Sequence, residues 1–234
     1  MTELVWDGCV NVRDVGGLVR ADNIRFLSDE GWQALVDHGV RRVVDLRFAH
    51  ELAEDVPREA PVEVVHISLL GDERNEEWEA GYDALMDSTP TAEEYLVSVY
   101  TIFLERHRDR FARVFEAIAD APPGPVVVHC FGGKDRTGLV VALALRLVGE
   151  SLDEVAADYA RTELNLAQRH ARWVSEAEDE TERRRRTLLG PAPAAAMRRV
   201  IEQLESQHGS VEAYLRGGGL SDAAIVSVRK RLQD

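Results

Sequence analysis

Long apolar runs are missing from this sequence, and its first residues do not predict a secretory leader. Nothing in its 234 residues approaches the stretch of about 18 unbroken apolar positions that a membrane-spanning helix needs. The longest apolar run near the middle, Leu139 to Leu145, is too short and ends at Arg146. Met1 to Glu3 lack the basic start and apolar stretch of a signal peptide. We therefore expect no transmembrane segment and a cytoplasmic location, with export by a route without a signal peptide left open.

Cysteine is scarce as well. Cys9 and Cys130 are the only two and stand far apart, which excludes a disulfide framework. No second cysteine lies near Cys130, and the histidines lack the spacing of metal ligands. We therefore expect neither a metal site nor an organic cofactor.

Positive charge is in deficit. Lysine and arginine number 28 against 42 aspartates and glutamates, a formal net charge of −14. A field of that sign repels nucleic-acid backbones and anionic lipid, so we expect no nucleic-acid partner. It also repels a phosphorylated substrate. Any site for such a substrate must therefore be strongly positive locally.

The hydrophobic pattern predicts an α/β fold. Short apolar or alternating runs bounded by turn residues predict strands, and longer periodic runs predict helices. The predicted extended segments are 11–18, which runs into a turn at Gly16–Gly17, then 40–46, 62–68 and 126–128. The predicted helices are 28–39, 91–119, 139–148 and a region from 152 onward, broken at 188–193 and 217–219. Such interleaving predicts a central, mostly parallel sheet flanked by helices.

The segment from Val126 to Val148 is predicted to be a strand, a tight glycine-containing loop and a helix. Loop N–H groups and a helix N-terminus then point at one spot, which binds an anion such as phosphate or sulfate. Gly132 and Gly133 permit backbone angles that bulkier residues resist. The predicted phosphate-binding residues are Phe131, Gly132, Gly133, Lys134, Asp135, Arg136 and Thr137.

Cys130 opens this loop and Arg136 closes it six positions later. That spacing lets the sulfur lie beneath the loop while the guanidinium, a planar fork for two phosphoryl oxygens, reaches its rim. The dipoles that hold phosphate also stabilise a thiolate. Thr137 is placed to hydrogen-bond the sulfur, and His129 to fix the loop from behind. The alternative is that Cys130 is an inert, buried cysteine of the core. The preceding strand, the two glycines and the helix start at Arg136-Thr137-Gly138 disfavour this alternative.

These residues resemble the cysteine-based protein tyrosine phosphatases, and more narrowly the bacterial protein tyrosine phosphatase B family. The resemblance rests on HCFGGKDRTG at His129–Gly138 and NVRDVGG at Asn11–Gly17, with support from VVDLR at Val43–Arg47 and DYARTE at Asp158–Glu163. It spans most of the chain. It implies hydrolysis of phosphotyrosine through a phosphocysteine, with phosphotyrosyl proteins or peptides as partners. Some members of the family also act on phosphoserine, phosphothreonine and phosphoinositides.

By that resemblance Cys130 is the nucleophile, Arg136 the phosphate clamp and Asp135 the general acid. Asp135 would protonate the departing tyrosine oxygen and later activate water. Asp45 and Asp72 are the competing candidates for this acid. The alternative for Asp45 is a salt bridge to a neighbouring arginine.

Three basic residues are predicted to support the site. Arg13 either braces the loop or pairs with Asp14, and Arg47 lies beside Asp45. Lys134 suggests a point charge near the ligand, because relatives with lysine here include phosphatases of inositol lipids. The alternative is that Lys134 faces solvent.

The resemblance also predicts a single phosphatase domain over residues 1–234. Residues 150–190 include a helical segment that forms a lid in some relatives, and 191–234 form C-terminal helices. Arg183 to Arg186 is either a basic docking patch or a solvated helix face paired with the preceding acids. One departure concerns the N-terminal edge: relatives usually have a longer turn after the segment that ends at Leu18.

Overall fold

A six-stranded mixed sheet lies at the centre of the part that the structure, a computed structural model, describes: residues 1–71 and 76–233, with backbone alone for 76–79. Its strands are β1 (Thr2–Glu3), β2 (Arg13–Asp14), β3 (Leu18–Ala21), β4 (Arg42–Asp45), β5 (Glu63–His66) and β6 (Val126–His129). Their order is β1-β2-β3-β6-β4-β5. From β3 to β5 all neighbours are parallel, whereas β1, β2 and β3 pair antiparallel. The predicted α/β architecture with a mostly parallel sheet is confirmed.

Helices cover both faces of this sheet. They are α1 (Asp29–Asp37), α2 (Ala49–Ala53), α3 (Glu76–Ser88), α4 (Ala92–Arg106), α5 (Arg108–Ala119), α6 (Asp135–Leu147), α7 (Leu152–Ser175), α8 (Glu180–Leu189), α9 (Ala194–His208), α10 (Val211–Gly217) and α11 (Asp222–Gln233). Val127 packs on the face that α1 covers, and Val126 and Val128 pack on the opposite, helix-rich face. Because both faces of β6 are buried, its sequence is apolar without alternation.

Local signals explain several helix ends. Ser28 caps α1 by accepting a hydrogen bond from the Gly31 N–H, and Ser151 caps α7 reciprocally with Glu154. Gly39, with φ of 90°, follows α1 in the left-handed conformation that often ends a helix. In the part of the chain that the structure describes, no helix is both long and apolar enough to cross a membrane.

The structure differs from the predicted elements at several places, and one is a further break at 176–179 between α7 and α8. The helix predicted over 91–119 is two helices, because the backbone of His107 (φ −119°, ψ 27°) is not helical. The break lets α4 pack on α9 while α5 packs on α10 and α11. The helix predicted from 139 begins at Asp135. The N-terminal extended segment is a hairpin of β2 and β3, and β3 continues beyond Leu18 to Ala21.

Candidate active site

The loop between β6 and α6 lies at the carboxyl end of the parallel strands. Cys130 follows the last residue of β6, and Lys134 is the residue before α6. Gly133 has φ of 65°, and a Cβ atom there would lie 2.5 Å from the backbone oxygen of Ala21. A side chain does not fit at this position, so the close approach of the loop to β3 requires glycine.

Two side chains from the N-terminal hairpin hold the loop from behind. The amide Nδ2 of Asn11 donates to the carbonyl oxygens of Gly132 (3.3 Å) and Gly133 (3.2 Å). Arg20 Nη2 also donates to the Gly133 oxygen, at 2.6 Å. In a trans peptide the following N–H points opposite to the carbonyl. These contacts therefore turn the N–H groups of Gly133 and Lys134 to the other side of the loop.

The motifs NVRD and DYARTE meet in a buried ion-pair network. Arg13 Nε lies 2.7 Å from Asp158 Oδ1, Arg20 Nη1 binds Asp158 Oδ2, and both arginines donate to Thr162 Oγ1. Burial and the neighbouring Arg20 lower the pKa of Arg13 to about 10. Burial opposes ionisation of Asp158, but Arg20 and Arg13 hold its pKa below the usual range. The network ties α7 to the loop through Arg20 and Asn11.

Arg13 contacts the loop through Asn11 and not directly. Its Nη1 donates to Asn11 Oδ1 at 2.7 Å, which orients the amide that binds the loop carbonyls. Asp14 instead accepts from the N–H groups of Gly16 and Gly17 and lies 3.0 Å from His38. The bracing interpretation of Arg13 therefore has geometric support, and the pairing with Asp14 has none.

Cys130 and Arg136 line the same cavity. Cys130 is 2% exposed and lies on its floor. Arg136 Nη1 and Nη2 bind the two carboxylate oxygens of Glu51 at 2.5 and 2.9 Å, and the guanidinium stacks over the ring of Phe48 at 5.0 Å. Although burial opposes the charge, Glu51 and the neighbouring Cys130 raise the pKa of Arg136. The guanidinium thus stays charged and has a fixed orientation.

Glu51 is a site residue that the sequence did not reveal. It lies in the short helix α2, 85 residues before Arg136, and its Oε2 also accepts from the Phe48 N–H at 2.7 Å. Burial favours its neutral form, but Arg136 lowers the pKa of Glu51 below its usual value. No motif indicated Glu51, because a glutamate in the segment His50-Glu51-Leu52 is ordinary for the start of a helix.

Asp135 is held by two tyrosines that were also not predicted as site residues. The hydroxyl of Tyr100 donates to Asp135 Oδ1 at 2.5 Å, and the hydroxyl of Tyr159 lies 2.7 Å from that of Tyr100. Lys134 Nζ lies 3.5 Å from the same Oδ1. The side chain of Asp135 remains 44% exposed and lines the cavity beside Cys130 and Arg136.

Asp45 is engaged in the structural salt bridge that was the alternative to an acid role. Arg47 Nη2 lies 2.7 Å from Asp45 Oδ2 and 2.6 Å from Asp55. Burial opposes the charge of Asp45, but His129 and Arg47 hold its pKa far below the usual range. A carboxyl that stays ionised has no proton to give, so the geometry speaks against Asp45 as the general acid. Asp72 lies outside the described residues.

Three further loop-residue predictions have different outcomes. His129 is fully buried and its Nδ1 lies 3.2 Å from the Cys130 carbonyl oxygen, which places it behind the loop as expected. Thr137 is also fully buried, but its hydroxyl has no hydrogen-bond partner among the described residues, so the predicted bond to the sulfur is not formed. Phe131 is 46% exposed, with the guanidinium of Arg25 5.6 Å from its ring.

Lys134 does not face solvent, since it is 6% exposed. Its Nζ donates to the carbonyl oxygens of Leu189 and Pro191, the latter at 3.3 Å, where α8 runs into α9. Together with Asp135 these contacts occupy the ammonium group. The structure therefore gives Lys134 a role in joining the loop to the segment after α8.

The cavity above the loop has a volume of about 820 Å³. Its walls are mostly apolar and come from α2, α4, α7 and α8; they include Phe48, Tyr95, Val99, Leu166, Trp173 and Leu189. Of the described residues that line it, four are basic (Lys134, Arg136, Arg169 and Arg185) and two are acidic (Glu51 and Asp135). Lysine and arginine thus outnumber aspartate and glutamate among these lining residues, which favours an anionic substrate. Arg169 and Arg185 each also pair with an aspartate outside the lining.

The arginine run at the end of α8 is paired with acids. Arg183 binds Glu180 and Arg186 binds Glu182 within the helix, whereas Arg185 lies 3.2 Å from Asp83 of α3. These contacts support the paired-face interpretation over a basic docking patch. The pair between Arg185 and Asp83 also joins α8 to α3 at the edge of the cavity.

Comparison with known proteins identifies the family to which the chain belongs. A model of the tyrosine phosphatase family matches residues 4–234. The chain belongs to that family, which confirms the predicted resemblance, and it is a protein-tyrosine phosphatase.

Three curated relatives match most of the chain. A tyrosine-protein phosphatase of Nostoc commune is 30% identical over 99% of this chain and 76% of its own length. Triple specificity protein phosphatase PtpB of Mycobacterium tuberculosis is 29% identical, over 95% of this chain and 96% of its own length. A putative tyrosine-protein phosphatase of Cupriavidus necator is 28% identical over 92% of this chain and 83% of its own length.

Proposed function

We propose that the chain hydrolyses phosphotyrosine through a phosphocysteine on Cys130. The observation that carries the proposal is the presence of Cys130, Arg136 and Asp135 around one loop at the floor of one cavity. The Cys130 thiolate attacks phosphorus, and the bond from phosphorus to the phenolic oxygen breaks. Asp135 gives its proton to that oxygen. Water then attacks phosphorus, Asp135 takes a proton from it, and the sulfur–phosphorus bond breaks to release phosphate.

Arg136 and the loop amides stabilise the charge that spreads over the phosphoryl oxygens. Glu51 binds one edge of the guanidinium, through Nη1 and Nη2, and so fixes its plane. Nε and the outward N–H bonds remain for the phosphoryl group. The positive network of Arg13 and Arg20 behind the loop adds favourable potential without contacting substrate.

The nucleophile is tested by exchanging each of the two cysteines. Cys130→Ser is expected to lower kcat/KM for a phosphotyrosyl peptide by roughly 10⁴-fold or more, because the hydroxyl is not ionised at neutral pH. Cys9→Ser is the matched control: Cys9 Sγ donates to the Asn23 carbonyl oxygen, and Cys9 does not line the cavity. Mass spectrometry after rapid acid quench is expected to find phosphate on the peptide that contains Cys130. Wild-type turnover by Cys130→Ser would refute the mechanism.

The apolar walls favour an aryl phosphate. Cys130 is 2% exposed at the cavity floor, so phosphorus must travel past Phe48 and Tyr95 to reach it. We propose that a phosphotyrosyl side chain reaches this floor while its ring packs on the apolar walls. A phosphoseryl side chain is shorter by the length of the ring.

We therefore propose phosphotyrosyl proteins as the main substrates, with slower turnover of phosphoserine, phosphothreonine and phosphoinositides. The name of the relative PtpB, a triple specificity phosphatase, supports this wider range. Initial rates on matched phosphotyrosyl and phosphoseryl peptides and on a short-chain phosphoinositide test the order. We expect kcat/KM for the phosphotyrosyl peptide to exceed the others at least tenfold, and equal values would contradict the role of the cavity depth.

A further inference from the structure

A buried pair of tyrosines contacts the proposed general acid. Tyr100 on α4 and Tyr159 on α7 are fully buried, and their ring centroids lie 6.1 Å apart in an edge-to-face contact. The Tyr100 hydroxyl donates to Asp135 Oδ1 at 2.5 Å, and the Tyr159 hydroxyl lies 2.7 Å from the Tyr100 hydroxyl. Tyr100 binds Asp135 directly, and Tyr159 is linked to Asp135 through Tyr100.

The direction of this chain of hydrogen bonds follows from proton counting. Burial, and next the charge of Asp135, raise the pKa of Tyr100 and of Tyr159, so both phenols stay protonated. A phenol has one proton to donate. Since Tyr100 gives its proton to Asp135, the bond between the tyrosines is donated by Tyr159.

The two oxygens of Asp135 are consequently not equivalent. Oδ1 accepts from Tyr100 and lies 3.5 Å from the Lys134 ammonium group. A proton on Oδ1 would have to compete with both donors. Oδ2 has no hydrogen-bond partner among the residues that the structure describes, and it belongs to a side chain that is 44% exposed.

We propose that Tyr100, supported by Tyr159, is a positioning residue that directs the catalytic proton of Asp135 to Oδ2. The inference rests on the proposed function, in which Asp135 is the acid. In the first step the proton leaves Oδ2 for the phenolic oxygen as the phosphorus–oxygen bond breaks. In the second step water transfers a proton to Oδ2 as the sulfur–phosphorus bond breaks, which restores the starting state.

Leaving-group dependence tests the inference, because only a poor leaving group needs the proton. Phenol, like tyrosine, has a pKa of about 10, whereas dinitrophenolate leaves without protonation. Tyr100→Phe keeps the ring and removes the donor. It is expected to lower kcat/KM for phenyl phosphate by roughly 10- to 100-fold, a part of the usual contribution of a general acid. For dinitrophenyl phosphate the expected change is less than about threefold.

Tyr159→Phe is expected to give a smaller loss with the same selectivity, and the double variant should lose no more than Tyr100→Phe, since Tyr159 acts only through Tyr100. Tyr214→Phe is the matched control, because Tyr214 is equally buried but its hydroxyl binds the Leu104 carbonyl oxygen on α4. If part of a variant is unfolded, its rates on phenyl phosphate and on dinitrophenyl phosphate fall by the same factor, so the ratio of the two rates does not change.

The inference is overturned if Tyr100→Phe changes both substrates by the same factor or changes neither. Cys130→Ser and Asp135→Asn separate this result from a failure of the proposed function. If the proposed function holds, Cys130→Ser is inactive on both substrates. Asp135→Asn then has a lower kcat/KM for phenyl phosphate but not for dinitrophenyl phosphate, and its loss is at least as large as that of Tyr100→Phe. If Cys130→Ser were active, the mechanism itself would fail and not only the role of the tyrosines.

Discussion

At the scale of single residues, the conformation of the phosphate loop depends on one glycine. Gly133 combines φ of 65° with an approach of 2.5 Å between its hypothetical Cβ atom and the Ala21 oxygen. Gly132, its neighbour, has no such restriction, since a Cβ atom there would meet only Leu166 at 3.9 Å. The pair therefore offers a matched comparison within one loop.

We expect Gly133→Ala to lower the free energy of unfolding by about 2–4 kcal/mol, because the added methyl must displace backbone of β3 and adopt a left-handed conformation. Gly132→Ala should cost less than about 1 kcal/mol, the usual range for a substitution without a clash. Urea denaturation followed by fluorescence measures both. Equal destabilisation would show that the close approach to Ala21 does not constrain the loop.

Residues adjacent in sequence were predictable and residues brought from elsewhere were not. Cys130, Asp135 and Arg136 lie within seven consecutive residues, so their proximity could be predicted from the sequence. Glu51 is 85 residues from Arg136, and Tyr100 is 35 from Asp135. Because their types are ordinary for amphipathic helices, only the packing of α2 and α4 around the loop reveals them.

At the scale of elements, Lys134 joins the phosphate loop to the segment between α8 and α9. Its Nζ donates to two carbonyl oxygens there, of Leu189 and Pro191. We propose that α7 and α8, within the predicted lid of residues 150–190, cover the cavity, since Leu166, Trp173 and Leu189 line it. A cation that binds the end of α8 would then hold this cover in place.

Lys134→Met is expected to loosen this junction without weakening the phosphate site. The apolar stem is kept, but two partly buried carbonyl oxygens lose their charged donor, a loss of about 1–3 kcal/mol. Amide hydrogen exchange should rise at least tenfold for 187–190. Inhibition by inorganic phosphate should change less than about threefold, because the ammonium group already faces Asp135. If Lys134→Met instead lost much of its affinity for phosphate while its amide hydrogen exchange stayed unchanged, Lys134 would be a contact of the ligand.

Element prediction succeeded where one physical signal dominated. The apolar run Val126–Val128 predicted β6, and the capping residue Ser28 predicted the start of α1. Both signals are contained in a few consecutive residues. The extension of β3 to Ala21 was missed since Arg20, a fully buried arginine, does not have the composition of a central strand. The break at His107 was missed because it is set by which helices α4 and α5 pack against.

At the scale of the whole molecule, an acidic protein with a net charge of −14 has a buried basic network behind its phosphate loop. Asp158 is the acid that makes this network possible. It neutralises part of the charge of Arg13 and Arg20, which are both fully buried. Asp158 thus lets the fold retain positive potential at the site while the surface stays negative.

This arrangement makes stability sensitive to acid. The folded-state pKa of Asp158 is below its unfolded value near 3.8, since Arg20 and Arg13 outweigh the effect of burial. Its contribution to stability is therefore fully present above that unfolded value, and it is lost as pH falls through the folded-state pKa. Asp158→Asn should lower the free energy of unfolding at pH of about 7 by about 3–5 kcal/mol, because two buried arginines lose their anion. Urea denaturation from about pH 7 down to about pH 3 measures this difference, which should narrow below about pH 4 because the unfolded wild type takes up a proton at Asp158 that the folded wild type does not.

The control is Asp87→Asn, on the exposed side of α3, which should change stability by less than about 0.5 kcal/mol at any of these pH values. A constant difference between wild type and Asp158→Asn down to about pH 3 would mean that Asp158 has the same pKa in the folded and unfolded states, so that Arg20 and Arg13 do not lower it. A difference near zero at neutral pH would mean that the arginines find other partners. In that event the link from α7 to the phosphate loop would not depend on the acid, and the positive potential behind the loop would require a different explanation.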